Sequence, residues 1–560
     1  MTGGSGSLLP WLGRALLLAA AMLTPWRAIA NDVQTPVDQA DPALIEDELR
    51  GAERNPSAGR RAPLVAGQRQ GGAMTPLRSF TVGAVLIEGA AALTPARFAP
   101  AIEPYLGREL DEAELRLLVR DVAGVARQAG YGLATAWIPP QSVTNGVLRV
   151  RIDEGRIDRV EATGPARAAV ERRLALLAGG RPVRTAELER QLLIAGDLAG
   201  VSVGQARIAR RGGENVLQVA TAFDRVRGRA SIDNWGTGAV GPVRAQLSTD
   251  INAILFFGDR LTIGGVVTPA QPREFQLAQI GYTAPVGARG TTVSLHFYVG
   301  HSAPGAELRD RDIGGVSSEI EASVSHPLMR SRAASLWGRF ELTMRDSRLS
   351  VDGIRVRDDR IVAASAGLLA HGQLGGGQAR ARLTLVQGFD LLDATRQGDP
   401  LASRADAGGI FTKISFSSQY NRSLGGPFSI ELSGEGQLAS RPLLASEELG
   451  LGGRYFLRGF DFRQAAGDRG VAASAELRFD LTRVPPPLRK VQLYAYADAG
   501  RVTNLQGGQG GSSLASAGGG VRAWLHNRIE AAAEIGVPLT DGAFAQDPKP
   551  RFSFRLGLTF

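Results

Sequence analysis

The chain has 560 residues, with Lys+Arg 64 against Asp+Glu 55 and a formal net charge of +9. It contains no cysteine, which excludes a disulfide scaffold, a cysteine-based zinc site and a thiol nucleophile. Apolar residues make up 44%, enough to bury a core, and the basic residues are nearly all Arg interleaved with acids, a compositional bias rather than a nucleic-acid-binding patch.

Met1–Ala30 has the layout of a secretory signal. Arg14 supplies the positive start, Ala15–Leu23 is an apolar run of nine residues, and Ala28-Ile29-Ala30 places small residues before Asn31. A helix needs roughly 20 apolar residues to cross a bilayer, so the run reads as a cleaved signal and not an anchor. Residues 31–77 read as one short helix, Asp41–Arg54, and a Gly/Pro/Arg-rich linker.

From Ser79 short strands and helices alternate. Phe80, Val82, Val85 and Ile87 predict a strand ending at Gly89, and Thr94–Leu106 a helix. Asp111 and Glu114 form a capping box before Leu115, Leu118, Val119, Val122 and Val125, which recur at helical spacing until Gly130. Gly132–Ile138 and Val147–Ile152 then read as strands. The order recurs with a strand at Arg156–Ala162, helices at Ala166–Ala178 and Thr185–Leu198, and strands at Val201–Ala209 and Asn215–Phe223. Two such repeats predict two small α+β modules, at 78–154 and 155–227.

From about residue 228 to 560 helical patterns give way to short alternating runs. Val243, Ala245, Leu247, Thr249 and Ile251 oppose Arg244, Gln246, Ser248, Asp250 and Asn252. Ala475, Leu477, Phe479 and Leu481 oppose Glu476, Arg478 and Asp480 in the same way. One face is apolar and the other ionic over about sixteen runs, which predicts a transmembrane antiparallel β-barrel rather than a soluble sandwich. An even strand count puts both chain ends in the periplasm. The last strand, Arg551–Phe560, has Phe552, Phe554, Leu556, Leu558 and Phe560 at every second position, and its terminal aromatic resembles the outer-membrane assembly signal.

Several segments carry a family resemblance. Pro140-Gln141, Gly146-Val147-Leu148-Arg149-Val150 and Glu154-Gly155 resemble the end of a first POTRA module. Asp233-Asn234-Trp235-Gly236 resembles the opening of a first barrel strand. Leu457-Arg458-Gly459-Phe460, within a Gly-rich connection from about Ala439 to Gly470, resembles the tip of an inward-folded sixth extracellular loop. Tyr496-Ala497-Asp498-Ala499-Gly500 resembles the partner strand motif, with Tyr496 where Phe or Gly is usual. With these motifs the chain resembles the TpsB transporters of two-partner secretion, in the BamA-type outer-membrane superfamily. The resemblance implies two POTRA modules before a sixteen-stranded barrel, and it makes Asp41–Arg54 either a plug helix in the pore, as in some relatives, or an unstructured tether.

If Val491, Leu493, Ala495 and Ala497 face lipid, then Gln492, Tyr494, Tyr496 and Asp498 face inward, and Asp498 can take a bidentate bond from Arg458. Such a bond contributes about 1.5–3 kcal/mol, enough to bias a loop. Gly459 is expected to make the tight turn at the tip. The pair is read either as a gate or as a staple of the fold. His296, His301, His326, His371 and His526 have no ligand-like spacing, and neither a P-loop nor a nucleophile elbow stands out, so no cofactor, metal or catalysis is expected. The Gly375-Gly376-Gly377 and Gly518-Gly519-Gly520 clusters read as turn or strand-bend glycines.

The implied function is export of a large unfolded exoprotein, of adhesin or haemolysin type, recognised by the POTRA modules. Val201–Ala209 is the candidate edge strand for that contact. The other expected partners are the outer-membrane assembly machinery, the lipid bilayer and lipopolysaccharide, with no nucleic acid. The rival readings are a BamA/TamA-like assembly factor and a passive solute porin.

Overall fold

The computed structural model describes residues 41–45, 79–143, 145–505, 511–541 and 549–560. The predicted signal sequence and the 46–78 stretch lie outside them.

Residues 80–153 form the first α+β module. The predicted first strand is broken at Gly83 into Phe80–Val82 and Ala84–Glu88. The first piece pairs with a strand that the sequence did not announce, Arg108–Leu110. The second joins Val147–Asp153 and Thr135–Trp137 in a three-stranded sheet. Pro100 and Pro104 divide the expected helix at 94–106 into single turns, because proline gives no amide to an ongoing helix. Helix α1 (Glu112–Gln128) starts on the predicted box, Glu114 N–H donating to Asp111 at 2.8 Å and Asp111 N–H to Glu114 at 3.2 Å. Its Leu115, Leu118 and Val122 pack on Phe98, Leu148 and Val150. Glu154 is buried and accepts from the amides of Ala91, Ala92 and Leu93, so it pins the strand-to-helix loop. Gly155 has φ +90° against Leu133, a place closed to any side chain.

The second module repeats the plan with strands Arg159–Thr163, Glu214–Phe223 and Val201–Arg211 in that spatial order. Helices α2 (Arg167–Leu174) and α3 (Thr185–Gly196) cover one face, burying Val170, Leu174, Leu188 and Leu192 on Leu217 and Val219.

Sixteen antiparallel strands then close into a barrel. The first four are β1 (Val226–Asp233), β2 (Arg244–Asn252), β3 (Arg260–Val267) and β4 (Phe275–Val286). Next come β5 (Thr291–Ser302), β6 (Gly314–Arg330), β7 (Ala334–Val351) and β8 (Ile354–Leu374). They are followed by β9 (Gly377–Phe389), β10 (Thr412–Gly425), β11 (Phe428–Ala439) and β12 (Arg469–Asp480). The last are β13 (Leu488–Thr503), β14 (Gly511–Leu525), β15 (Ile529–Pro538) and β16 (Arg551–Thr559). The predicted alternation is the wall's inside–outside pattern: Leu247, Leu342, Leu383 and Leu477 are exposed on the outer face, while Glu476, Asp498 and Glu534 are buried inside.

Closure joins β16 to β1 over a short register from Arg555↔Asp233 to Thr559↔Arg229. Phe560 exchanges backbone bonds with Gly228 (2.9 and 3.0 Å), and its ring lies where a Gly228 side chain would be. The Asn234 side chain completes the seam by donating to Phe552 O (2.9 Å) and accepting from Phe554 N–H (2.7 Å). The Asp233–Gly236 motif therefore ends β1 instead of opening it, because the strand starts at Val226, directly after the second module.

The second module is docked on the turns at one end of the barrel. Asp197 takes a bidentate bond from Arg330 (2.7 and 2.9 Å), whose guanidinium lies 5.2 Å over the Trp337 ring. Arg190 donates to the carbonyl of Pro327 at 2.7 Å, and Arg173 to that of Gly287. This end carries both chain termini of the barrel, so it is the periplasmic end. Pro485-Pro486-Pro487 falls in the turn between β12 and β13 on the same side.

Candidate functional site

The connection of 440–468 between β11 and β12 leaves the opposite end of the barrel and folds back into the lumen. A hairpin of Leu449–Leu451 with Ala465–Gly467 stiffens it. Leu451, Leu457 and Phe460 pack on Ala472, Val502 and Leu514 of the wall. Gly500 leaves the space for this contact, since a Cβ there would meet Leu451 and Leu457 at 3.0 and 3.1 Å.

The tip places Arg458 among inward side chains of β12, β13 and β15. Its Nε and Nη2 donate to the two oxygens of Asp498 (3.1 and 3.3 Å), and its backbone N–H adds a third bond to Asp498 at 3.1 Å. Nη1 donates to Glu476 at 2.8 Å and lies 3.5 Å from Glu534. The guanidinium lies 3.4 Å over the Tyr496 ring. Burial alone would make this cation easier to discharge, but Asp498 first and then Glu534 and Glu476 hold its pKa above the usual arginine range.

Beside it Arg522 forks onto Glu476 (2.6 and 3.0 Å) and lies 3.8 Å over Tyr494, whose hydroxyl donates to Glu534 at 2.8 Å. Arg478 adds a 2.7 Å bond to Glu476. Arg478 also pairs with Glu431 at 2.7 Å, so three arginines, Arg458, Arg478 and Arg522, are shared among Glu431, Glu476, Asp498 and Glu534.

The tyrosines rest on glycines. A Cβ on Gly518 or Gly536 would meet the Tyr496 hydroxyl at 2.5 or 2.8 Å, and one on Gly520 the Tyr494 hydroxyl at 2.7 Å. The Gly518–Gly520 cluster lies within β14 and not in a turn, and Gly518 and Gly520 make the floor of this site. Gly375 and Gly376, at φ +54° and +80°, do sit at a turn. Gly459 sits, as expected, in the tip turn that Phe460 N–H closes onto Leu457 O (2.9 Å), although its backbone is not the left-handed one. The left-handed residue at the tip is Leu457 (φ +60°), and Gly459 serves close approach, a Cβ there lying 2.9 Å from Pro538 N and 3.0 Å from the Ser516 Cβ.

The base of the loop has its own anchors. Glu448 binds Arg404 (2.8 Å) and Arg463 (3.4 Å), and Glu447 binds Lys413 (2.8 Å). Asp468 is fully buried and accepts from Arg404 (2.9 Å) and the amides of Leu443 and Leu505 (2.7 Å each). At the seam Arg551 donates to Phe460 O (2.8 Å) and Gly236 O (3.2 Å), its guanidinium 5.3 Å over Trp235.

Residues 41–45, the described part of the predicted Asp41–Arg54 helix, also lie in the lumen. Asp41 accepts from Ser347 (2.8 Å) and Arg357 (3.4 Å), and Leu44 and Ile45 pack on Val266, Phe275, Leu277 and the loop's Phe462. Of the lumenal set, sequence reasoning paired Arg458 with Asp498 and missed Glu476, Glu534 and Arg522. Their inward parity was visible, but their convergence depends on the register between neighbouring strands.

A sixteen-stranded barrel with an ionic lumen, a wall-bound internal loop and periplasmic POTRA modules defines an outer-membrane transporter of the BamA-type fold. Residues 213–523 match the family model of the haemolysin secretion/activation proteins ShlB/FhaC/HecB, and residues 80–155 match the ShlB-type POTRA domain. The chain belongs to this family, the TpsB transporters of two-partner secretion.

It is 23% identical over 487 residues to the outer membrane transporter CdiB of Dickeya dadantii (strain 3937), covering 81% of this chain and 82% of that one. It is 22% identical over 388 residues to the heme/hemopexin transporter protein HuxB of Haemophilus influenzae (strain 86-028NP), covering 67% and 68%. CdiB from Escherichia coli shares the fold with a TM-score of 0.75 at 20% identity, covering 95% of this chain and 100% of that one. BamA from Haemophilus ducreyi lacking POTRA domains 1-3 shares it at a TM-score of 0.51 and 12% identity, over 86% and 100%.

Proposed function

We propose that this transporter secretes one large partner exoprotein, of adhesin or haemolysin type, which crosses the lumen unfolded while the Arg458 loop withdraws from the wall. The observation that carries the reading is the buried Arg458–Asp498–Glu476 network at the tip of a loop lying inside the pore. The tip is held by several charge-assisted bonds, each contributing about 1.5–3 kcal/mol, which bias the loop toward the wall. Opening is assigned to an incoming chain that competes for the same contacts. Residues 41–45 lie in the same lumen and must leave it before a polypeptide can pass.

The POTRA modules are the proposed capture surface, through extended client segments added to a free strand edge. Val201–Arg211 is an edge strand, but a register shift between Val203 and Ala206 interrupts it, and such bulges discourage long strand addition. Ala84–Glu88, which pairs on one side only, offers an uninterrupted edge. The transporter's own insertion is assigned to the outer-membrane assembly machinery acting on the Phe552–Phe560 strand, with lipopolysaccharide around its outer rim. No catalytic step is invoked.

The test is deletion of the gene and complementation with wild-type or Arg458→Ala protein. A large polypeptide should vanish from culture fluid or cell surface on deletion, return with wild type, and remain low with Arg458→Ala despite equal folded barrel in the membrane. Unchanged exported protein, with a general loss of other outer-membrane barrels instead, would identify an assembly factor and refute the secretion reading.

A further inference from the structure

The turn joining β2 to β3 reads Ala253-Ile-Leu-Phe-Phe-Gly-Asp259 and lies at the periplasmic end of the wall. Four large apolar side chains follow one another in it: Ile254 is 40% exposed, Leu255 75%, Phe256 44% and Phe257 36%. A contiguous apolar patch of this kind marks a surface meant for a partner or a membrane.

The turn is tightly built. Asp259 is fully buried, and its carboxylate accepts from the amides of Ile254 (2.7 Å), Leu255 (2.9 Å) and Phe256 (3.2 Å) and from the Tyr282 hydroxyl (2.7 Å). The one charge of the segment is thereby turned inward and the side chains of 254–256 are presented outward. Phe257 folds the other way, edge-on to Phe223 of the second module with ring centroids 5.1 Å apart. Gly258 lies under Leu198 of that module, where a Cβ would stand 2.8 Å from the Leu198 Cδ2.

Strand length says what covers the patch. β1, β2 and β3 have 8, 9 and 8 residues, whereas β7 and β8 have 18 and 21. At about 3.3 Å per residue and a tilt near 45°, eight residues span roughly 19 Å of a ~25 Å apolar band. The far end of β3 runs into Thr268-Pro-Ala-Gln-Pro-Arg-Glu274, which is polar. The shortfall is therefore made up at the periplasmic end, in line with the outward-facing Ile251, Leu261 and Ile263.

We propose that Ile254, Leu255 and Phe256 are an interfacial anchor seated among the acyl chains and headgroups of the periplasmic leaflet. Through Phe257 and Gly258 the anchor ties the second module to the bilayer beside the β16–β1 seam. The proposal rests on the outer-membrane location and is independent of what the protein exports.

Because the chain has no cysteine, a single nitroxide can be placed at Leu255→Cys. Ile263→Cys on the outer wall and Leu176→Cys on the second module serve as references. In vesicles of phosphatidylethanolamine and phosphatidylglycerol, collision with oxygen is compared with collision with a water-soluble nickel complex. The oxygen-to-nickel ratio at 255 should approach that at 263 and exceed that at 176. A ratio equal to that at 176 would place the turn in water and overturn the proposal. So would a label shielded from both reagents, which would mean that polypeptide covers it. Ile254→Cys repeats the measurement, so a misfolded Leu255 variant leaves the proposal open to refutation.

Discussion

Arg458 uses both edges and one face of its guanidinium, and its neighbours are shaped to admit them. Lysine would keep the charge but offers a point donor in place of the planar fork, so Arg458→Lys should retain only part of the attachment. Arg458→Ala strands Asp498 and Glu476 and should weaken loop attachment by about 3–5 kcal/mol, read as faster amide exchange of 449–463 with the barrel strands unchanged. Gly500→Val should loosen the tip by a different route. Its side chain would overlap Leu451 and Leu457, an overpacking cost of about 1–3 kcal/mol, and exchange should rise in the same segment. Single-residue roles were the least legible part of the sequence. Arg458 and Asp498 are identifiable from their motifs, whereas the side chains and backbone that press on Gly459, Gly518 and Gly520 are not, because spacing does not reveal what approaches a glycine from across the lumen.

At the scale of elements, the loop is held at its base as well as its tip. Asp468→Ala leaves the amides of Leu443 and Leu505 and the Arg404 guanidinium without an acceptor, a loss of at least about 2 kcal/mol. Trypsin should then cut at Arg454, Arg458 or Arg463 in the variant while sparing the wild-type loop. Docking of the second module depends similarly on Asp197. Asp197→Ala leaves Arg330 buried beside Trp337 without its carboxylate, and protease sensitivity should appear near 224–225. The strands were legible because a two-residue period survives any register. The helix expected at 94–106 was not, since Pro100 and Pro104 outweigh its apolar spacing. The position of 440–468 inside the pore came from family resemblance alone; its composition says loop and gives no side of the wall.

On the scale of the whole molecule, a sixteen-stranded cylinder is wide enough to hold a water-filled passage. Here the loop and the 41–45 segment meet inside it at Phe462. The alternation gave the barrel and its even strand count, and the composition break near residue 228 separated it from the modules. Only the structure located the thin wall of β1–β3 beside the seam. In the proposed mechanism Arg458 holds the loop inside an otherwise intact pore. Conductance across planar bilayers, compared between wild type and Arg458→Ala after each is shown to keep its heat-shifted mobility, reads this attachment. Openings should be larger or more frequent in the variant with the folded band unchanged; identical currents, or loss of the folded band in step with any change in current, would refute the role given to Arg458.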